Sequence, residues 1–149
     1  LVWGHTQEIR LELDGDHDIA GSETELHSAL FNLVGNAVRY TPADKSILVR
    51  WSCDTNGQGI LTVTDQGIGI ALEHIPRLTE RFYRVDRSRS RETGGTGLGL
   101  AIVKHVLERH EAELKIDSTP GAGSSFRMVL PAHRVRSRAS QLAALVHQD

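Results

Sequence analysis

The sequence predicts an α/β sandwich, a mixed sheet with helices on one face, and three observations point there. Two pairs of segments alternate apolar and polar residues about a turn signal, one pair around Asn56-Gly57 and the other around Pro120-Gly121, as antiparallel hairpins do. Helical stretches separate these strands, so sheet and helix must pack as layers. The hairpins also disfavour a doubly wound parallel sheet, whose neighbouring strands need long crossovers. No internal repeat is present.

Gln7 to Leu13 (Q-E-I-R-L-E-L) alternates at period two and reads as a half-buried strand, ended by a turn at Asp14-Gly15-Asp16. A brief extended piece around Asp18 to Ala20 leads to a helix announced by Ser22 and, three residues on, Glu25, the spacing of a capping box. Leu26, Ala29, Leu30, Leu33, Val34, Ala37 and Val38 then recur at offsets of three and four, one apolar stripe for a core. Pro42 closes the helix, because the residue before a proline is pushed out of helical conformation. Ser46 to Ser52 and Gly59 to Thr64 form the first hairpin, a short helical piece follows near Leu72 to Ile75, and an irregular stretch comes next. A second helix runs from about Thr96 to His110, and Ala112 to Ser118 pairs with Ser125 to Leu130. From Arg134 the chain reads as a loosely ordered helix or tail, which divides it into a domain over 1–133 and a C-terminal segment over 134–149.

At 149 residues, 39% apolar and 24% charged, the composition is that of one ordinary globular domain. A net charge of -2 argues against bulk attraction to nucleic acid or anionic lipid. The single cysteine, Cys53, cannot form an internal disulfide and reads as a strand residue in a reducing compartment. Nothing is long and apolar enough to cross a bilayer as a helix, and no signal-peptide pattern is present. The start at Leu1-Val2-Trp3, without a methionine, suggests a fragment of something longer.

Four stretches carry chemistry. On the first helix Glu25, Ser28, Asn32, Asn36 and Arg39 fall along one side at about 100° per residue. Asparagine is a poor helix former, so two of them a turn apart are either a ligand wall or two satisfied surface amides. Asp65-Gln66-Gly67-Ile68-Gly69-Ile70 places a carboxylate at a strand end, where it can accept from an exocyclic amine while glycines let backbone approach a flat ring; a tight Asx turn is the plainer alternative. Gly94-Gly95-Thr96-Gly97-Leu98-Gly99-Leu100 runs into a helix, and amides exposed at a helix N-terminus suit phosphate. That stretch lacks the Gly-Lys-Ser/Thr of a Walker A loop and does not complete G-x-G-x-x-G. Between them Arg77 to Arg91 holds six arginines and the run Arg81-Phe82-Tyr83-Arg84-Val85-Asp86. It reads as a cationic lid over a polyphosphate, with a solvated basic loop or a nucleic-acid patch as alternatives.

Together these stretches resemble the catalytic and ATP-binding domain of bacterial sensor histidine kinases, of the superfamily shared with gyrase, the heat-shock chaperone and the mismatch-repair ATPases. Asn32 to Thr41 is similar to the N box, Asp65 to Gly69 to the G1 box, Phe82 to Asp86 to the F box and Gly95 to Gly99 to the G2 box. Gly121-Ala122-Gly123-Ser124-Ser125-Phe126 resembles the glycine turn before the last strand. The runs Glu73 to Asp86 and Gly97 to His105 are most similar to sensor kinases of phosphate regulation.

The resemblance implies the Bergerat ATP-binding fold, a two-layer α/β sandwich with a mixed five-stranded sheet, helices on one face and a flexible ATP lid. It implies ATP and Mg²⁺ as cofactors. Asp65 would take the adenine amino group beside Tyr40 and Ile70, Asn32 would hold Mg²⁺, and Asn36 and Arg39 would sit near the phosphates. Gly67, Gly69, Phe82, Tyr83, Leu100 and Ser124 would join the nucleotide site; amides of Gly95, Thr96, Gly97, Leu98 and Gly99 would cradle phosphate, and Arg84 would approach the γ-phosphate. Hydrolytic relatives resemble one another in placing glutamate where Asn32 stands, and an amide has no useful basicity at neutral pH. Phosphoryl transfer to a histidine on a separate dimeric helical hairpin is therefore the expectation, within a cytoplasmic part of an inner-membrane sensor that signals to a response regulator. Dimerisation through that missing domain, no nucleic-acid partner and no direct membrane contact belong to the same expectation. A regulatory nucleotide-binding module without transfer, or an ATP-hydrolysing machine, are the alternatives.

Overall fold

The computed structural model of the chain describes residues 8–83 and 98–137. Strand β1 (Glu8–Leu13) runs parallel to β3 (Ser46–Cys53), with helix α1 (Glu23–Tyr40) as the crossover that a parallel pair requires. From β3 the sheet continues antiparallel through β4 (Gly59–Asp65), β6 (Gly123–Leu130) and β5 (Glu113–Thr119), in the spatial order β1-β3-β4-β6-β5. This is the expected mixed five-stranded sheet. A separate ribbon pairs β2 (His17–Ile19) with β7 (Val135–Ser137). Residues 135–137 lie beyond the boundary that the sequence suggests at 133, and they form this strand rather than a helix or tail.

Directly opposed strand residues share a face, so the register writes rows across the sheet. Leu11, Val49, Val63, Phe126 and Ile116 form one row, and Ile47, Asp65, Ser124 and Ser118 form the next. Helices α1 and α2 (Gly99–Arg109) cover this face, where Ala29, Leu33, Ala37, Val103, Val106 and Leu107 pack on Ile47, Val49, Val63, Phe126 and Met128. The opposite face is polar: Thr64 and Ser125 hydrogen-bond at 3.0 Å and Arg127 donates to Asp117 at 2.7 Å. Two layers result, with helices on one side.

Several local expectations change. Strand β1 forms, but Ile9, Leu11 and Leu13 remain 42%, 66% and 66% exposed, because β1 is the sheet edge and the helices cover its centre. The short helical piece is a 3-10 helix, Leu72–Arg77, that carries Pro76. The first hairpin closes through Asp54, whose Oδ1 accepts from Asn56 and Gln58 amides at 2.9 Å each. The capping box is only half made. Ser22 Oγ accepts from the Glu25 amide at 3.2 Å, but the Glu25 carboxylate turns to Arg109 at 2.6 Å, a bond that lowers its pKa.

The place that Glu25 would have taken falls to His110. This side chain is 3% exposed; its Nδ1–H donates to the Val106 carbonyl at 2.8 Å, and its Nε2 accepts from the Ser22 amide at 3.0 Å. One ring thus joins the end of α2 to the start of α1. Replacing His110 by Ala leaves a partly buried amide unpaired, and the expected result is a loss of about 1–3 kcal/mol in unfolding free energy, read as a lower urea midpoint.

Candidate functional site

Strand β4 delivers Asp65 onto the helix-covered face of the sheet, where it is 6% exposed. The amides of Gly67 (2.9 Å) and Ser124 (3.2 Å) both donate to its Oδ1. Oδ2 is left as an acceptor-only atom. Burial raises the Asp65 pKa above the ordinary carboxylate value, and the two amides partly oppose that rise.

Three backbone segments meet around this carboxylate. A Cβ on Gly67 would lie 2.3 Å from the Tyr40 carbonyl oxygen, so only glycine lets the turn touch the end of α1. Gly69 has φ +74, and a Cβ there would lie 2.1 Å from the Thr119 carbonyl oxygen. The Gly121 amide donates to Ile68 at 2.7 Å, which ties the same turn to the β5–β6 connection. Ile70 packs at the edge of the core, with its amide held by Ser118 Oγ at 2.7 Å.

On α1 the Asn32 side chain donates through Nδ2 to the Ser28 carbonyl at 2.8 Å. Its Oδ1 lies 3.1 Å from where a Cβ on Gly99 would stand. Gly99 is the first residue of α2, whose N-terminus has no side-chain cap. An amide oxygen and a positive helix end therefore lie side by side. Asn36 lies one turn along the same side, and one turn further the Nε of Arg39 is buried without a hydrogen-bond partner among the described residues. A hard oxygen donor suits Mg²⁺, which keeps waters and shares phosphate oxygens, and an orphaned guanidinium nitrogen suits an anion. Among the described residues no cluster of three or more His, Cys, Asp or Glu could hold a metal.

The structure thus gathers Asn32 with Gly99 and the end of α1 at Tyr40 with Gly67, Asp65 and Ser124. Leu100 packs on the same core, and Leu98 precedes α2. Phe82 has φ 65 and is 66% exposed. Tyr83 hydrogen-bonds His74 through its hydroxyl and lies under the Arg77 guanidinium at 4.5 Å. His74, in the 3-10 helix, anchors that ring through Nδ1. Arg84, Gly95, Thr96 and Gly97 lie outside the described residues. A groove of about 440 Å³ between the 3-10 helix, α2 and β5 contains none of the predicted site residues. Ser118 escaped the sequence reading because its role depends on strand register.

Residues 21–134 match the family described as histidine kinase-, DNA gyrase B-, and HSP90-like ATPase. The phosphate regulon sensor protein PhoR of Pseudomonas aeruginosa is 57% identical over 126 residues, which cover 85% of this chain and 28% of that protein. The sensor-like histidine kinase SenX3 of Mycobacterium tuberculosis is 48% identical over 126 residues, covering 84% and 30%. The chain therefore spans less than a third of these curated relatives. Among solved structures, the mycobacterial sensor histidine kinase MprB superposes with a TM-score of 0.73 at 30% identity, covering 85% of this chain and 82% of that one. Full-length ShkA in complex with AMPPNP gives 0.72 at 28% identity, covering 84% and 25%.

The raised Asp65 pKa has a consequence for stability. A carboxyl whose folded pKa lies above its unfolded value favours the fold below the ordinary carboxylate range, and that contribution is lost as pH rises through the folded value. Asp65→Asn keeps an oxygen for both amides and removes the buried charge. Near neutral pH its thermal midpoint should equal or exceed that of the unmodified protein, with the gap closing as pH falls.

Proposed function

This chain belongs to the histidine kinase-, DNA gyrase B-, and HSP90-like ATPase family, and on that premise we propose that it binds ATP with Mg²⁺ and donates the γ-phosphoryl group to a histidine on a separate helical hairpin of the same sensor kinase. The observation that carries this reading is the Asp65 carboxylate, held by two amides on one oxygen and with no hydrogen bond to the other among the described residues. An acceptor-only atom at the floor of a glycine-built turn takes the exocyclic amine of adenine and refuses a carbonyl in its place. Asn32 would hold Mg²⁺ through Oδ1, and the ion would supply charge that offsets the phosphates. Asn36, Arg39 and the amides leading into α2 position the phosphates, and Arg84 meets the charge that develops on the transferred group. The bond between the γ-phosphorus and its bridging oxygen breaks, ADP leaves with the electron pair, and a phosphorus–nitrogen bond forms on the acceptor histidine. With an amide at position 32 no carboxylate is supplied to activate water, which favours transfer over hydrolysis.

The relatives extend the proposal. We further propose a sensor kinase that works in the cytoplasm, dimerises through its helical domain and passes the phosphoryl group to a response regulator; the relatives' names, a phosphate regulon sensor protein and a sensor-like histidine kinase, support the sensor-kinase part and phosphate supply as the signal. Among the described residues no helix is long and apolar enough to cross a membrane. Calorimetry with a non-hydrolysable ATP analogue tests the nucleotide site. Asp65→Asn should weaken binding about 5- to 150-fold, the equivalent of about 1–3 kcal/mol for an unpaired polar group, and Asn32→Ala should abolish the strengthening by Mg²⁺. Radiolabelled ATP added with the helical hairpin should label the hairpin; steady phosphate release without label would overturn the transfer reading.

A further inference from the structure

The row Ile47, Asp65, Ser124, Ser118 runs across the sheet on the helix-covered face, and its two serines are coupled. Ser118 Oγ has three partners: the Ile70 amide at 2.7 Å, the Gly123 carbonyl at 3.1 Å and Ser124 Oγ at 2.7 Å. The amide can only donate and the carbonyl can only accept. A serine hydroxyl has one hydrogen and two lone pairs, so one arrangement satisfies every group. Ser118 accepts from Ile70 and from Ser124, and donates to Gly123. Ser124 then spends its hydrogen on Ser118, and its oxygen, in a residue 7% exposed, keeps only lone pairs for anything beside it. Asp65 Oδ2, its cross-strand neighbour, likewise offers only lone pairs.

We propose that Ser118 is a positioning and specificity-determining residue: by fixing the direction of the Ser124 hydroxyl it makes the pocket floor acceptor-only and so selects a 6-aminopurine over a 6-oxopurine. The inference rests on the nucleotide reading of the Asp65 turn. Without the Ser118 oxygen, Ser124 regains a free hydrogen that can donate to a 6-oxo group, and the Ile70 amide loses its acceptor, which loosens the turn.

Paired titrations with ATP and ITP, which differ at the 6-position, test this on the chain as it stands. The unmodified protein should prefer ATP, and Ser118→Ala should narrow the ATP/ITP affinity ratio about tenfold, the equivalent of about 1.4 kcal/mol, with Ser118→Thr restoring it. A merely structural role would weaken both nucleotides alike and leave the ratio unchanged, and that result overturns the proposal, as does an ATP/ITP ratio near one in the unmodified protein. If Ser118→Ala does not fold, Ser118→Cys, a weak donor and acceptor, is held to the same criterion. Failure of the unmodified protein to bind either nucleotide would instead sink the nucleotide reading itself.

Discussion

A carboxylate set into the helix-covered face of the sheet is the constraint on which the rest of this molecule turns. Burying a charge is costly unless hydrogen bonds compensate, and Asp65 meets that cost with amides drawn from two different places, its own turn and the start of β6. Those amides arrive only because backbone touches backbone: the turn lies on the end of α1 and on the β5–β6 connection, at distances that no side chain could share. Gly67 and Gly69 are the contact points at which these backbone segments meet. The same geometry concentrates both amides on Oδ1, and among the described residues none donates to Oδ2.

The second half of the site depends on how the two helices lie. The Glu25–Arg109 ion pair and the Ser22–His110 hydrogen bond join the beginning of α1 to the end of α2, so the helices run antiparallel. Ten residues back from Arg109, about 15 Å at 1.5 Å per residue, α2 begins at Gly99, beside Asn32. A clasp far from the chemistry therefore sets the register at which a helix N-terminus meets an amide oxygen. Both halves are anchored on one core of Leu33, Val103, Phe126 and their neighbours, which makes them a single rigid frame rather than two loops that happen to meet.

Much of this was legible in the chain itself. The apolar stripe from Leu26 to Val38 predicted α1, the Asn56-Gly57 and Pro120-Gly121 signals predicted two hairpins, and both pairs are present. Ser22 caps the helix as its spacing foretold, yet Glu25 does not close the box, because Arg109 from eighty-four residues away offers a stronger partner. Strand β1 shows the opposite failure. Its alternation is real, but alternation reports which side a residue faces and not whether anything covers that side.

The sequence alone determined the two long helices, the strands of the five-stranded sheet, their order and the residue types at the candidate site, because helix period, turn chemistry and glycine placement are local properties of neighbouring residues. Tertiary structure alone decided which oxygen of Asp65 is free, which way the Asn32 amide points, that His74 holds Tyr83, and that Ser118 stands beside Ser124. Each of these depends on a partner distant along the chain or on a strand register that a single-residue slip would undo, and no pattern of neighbours records it.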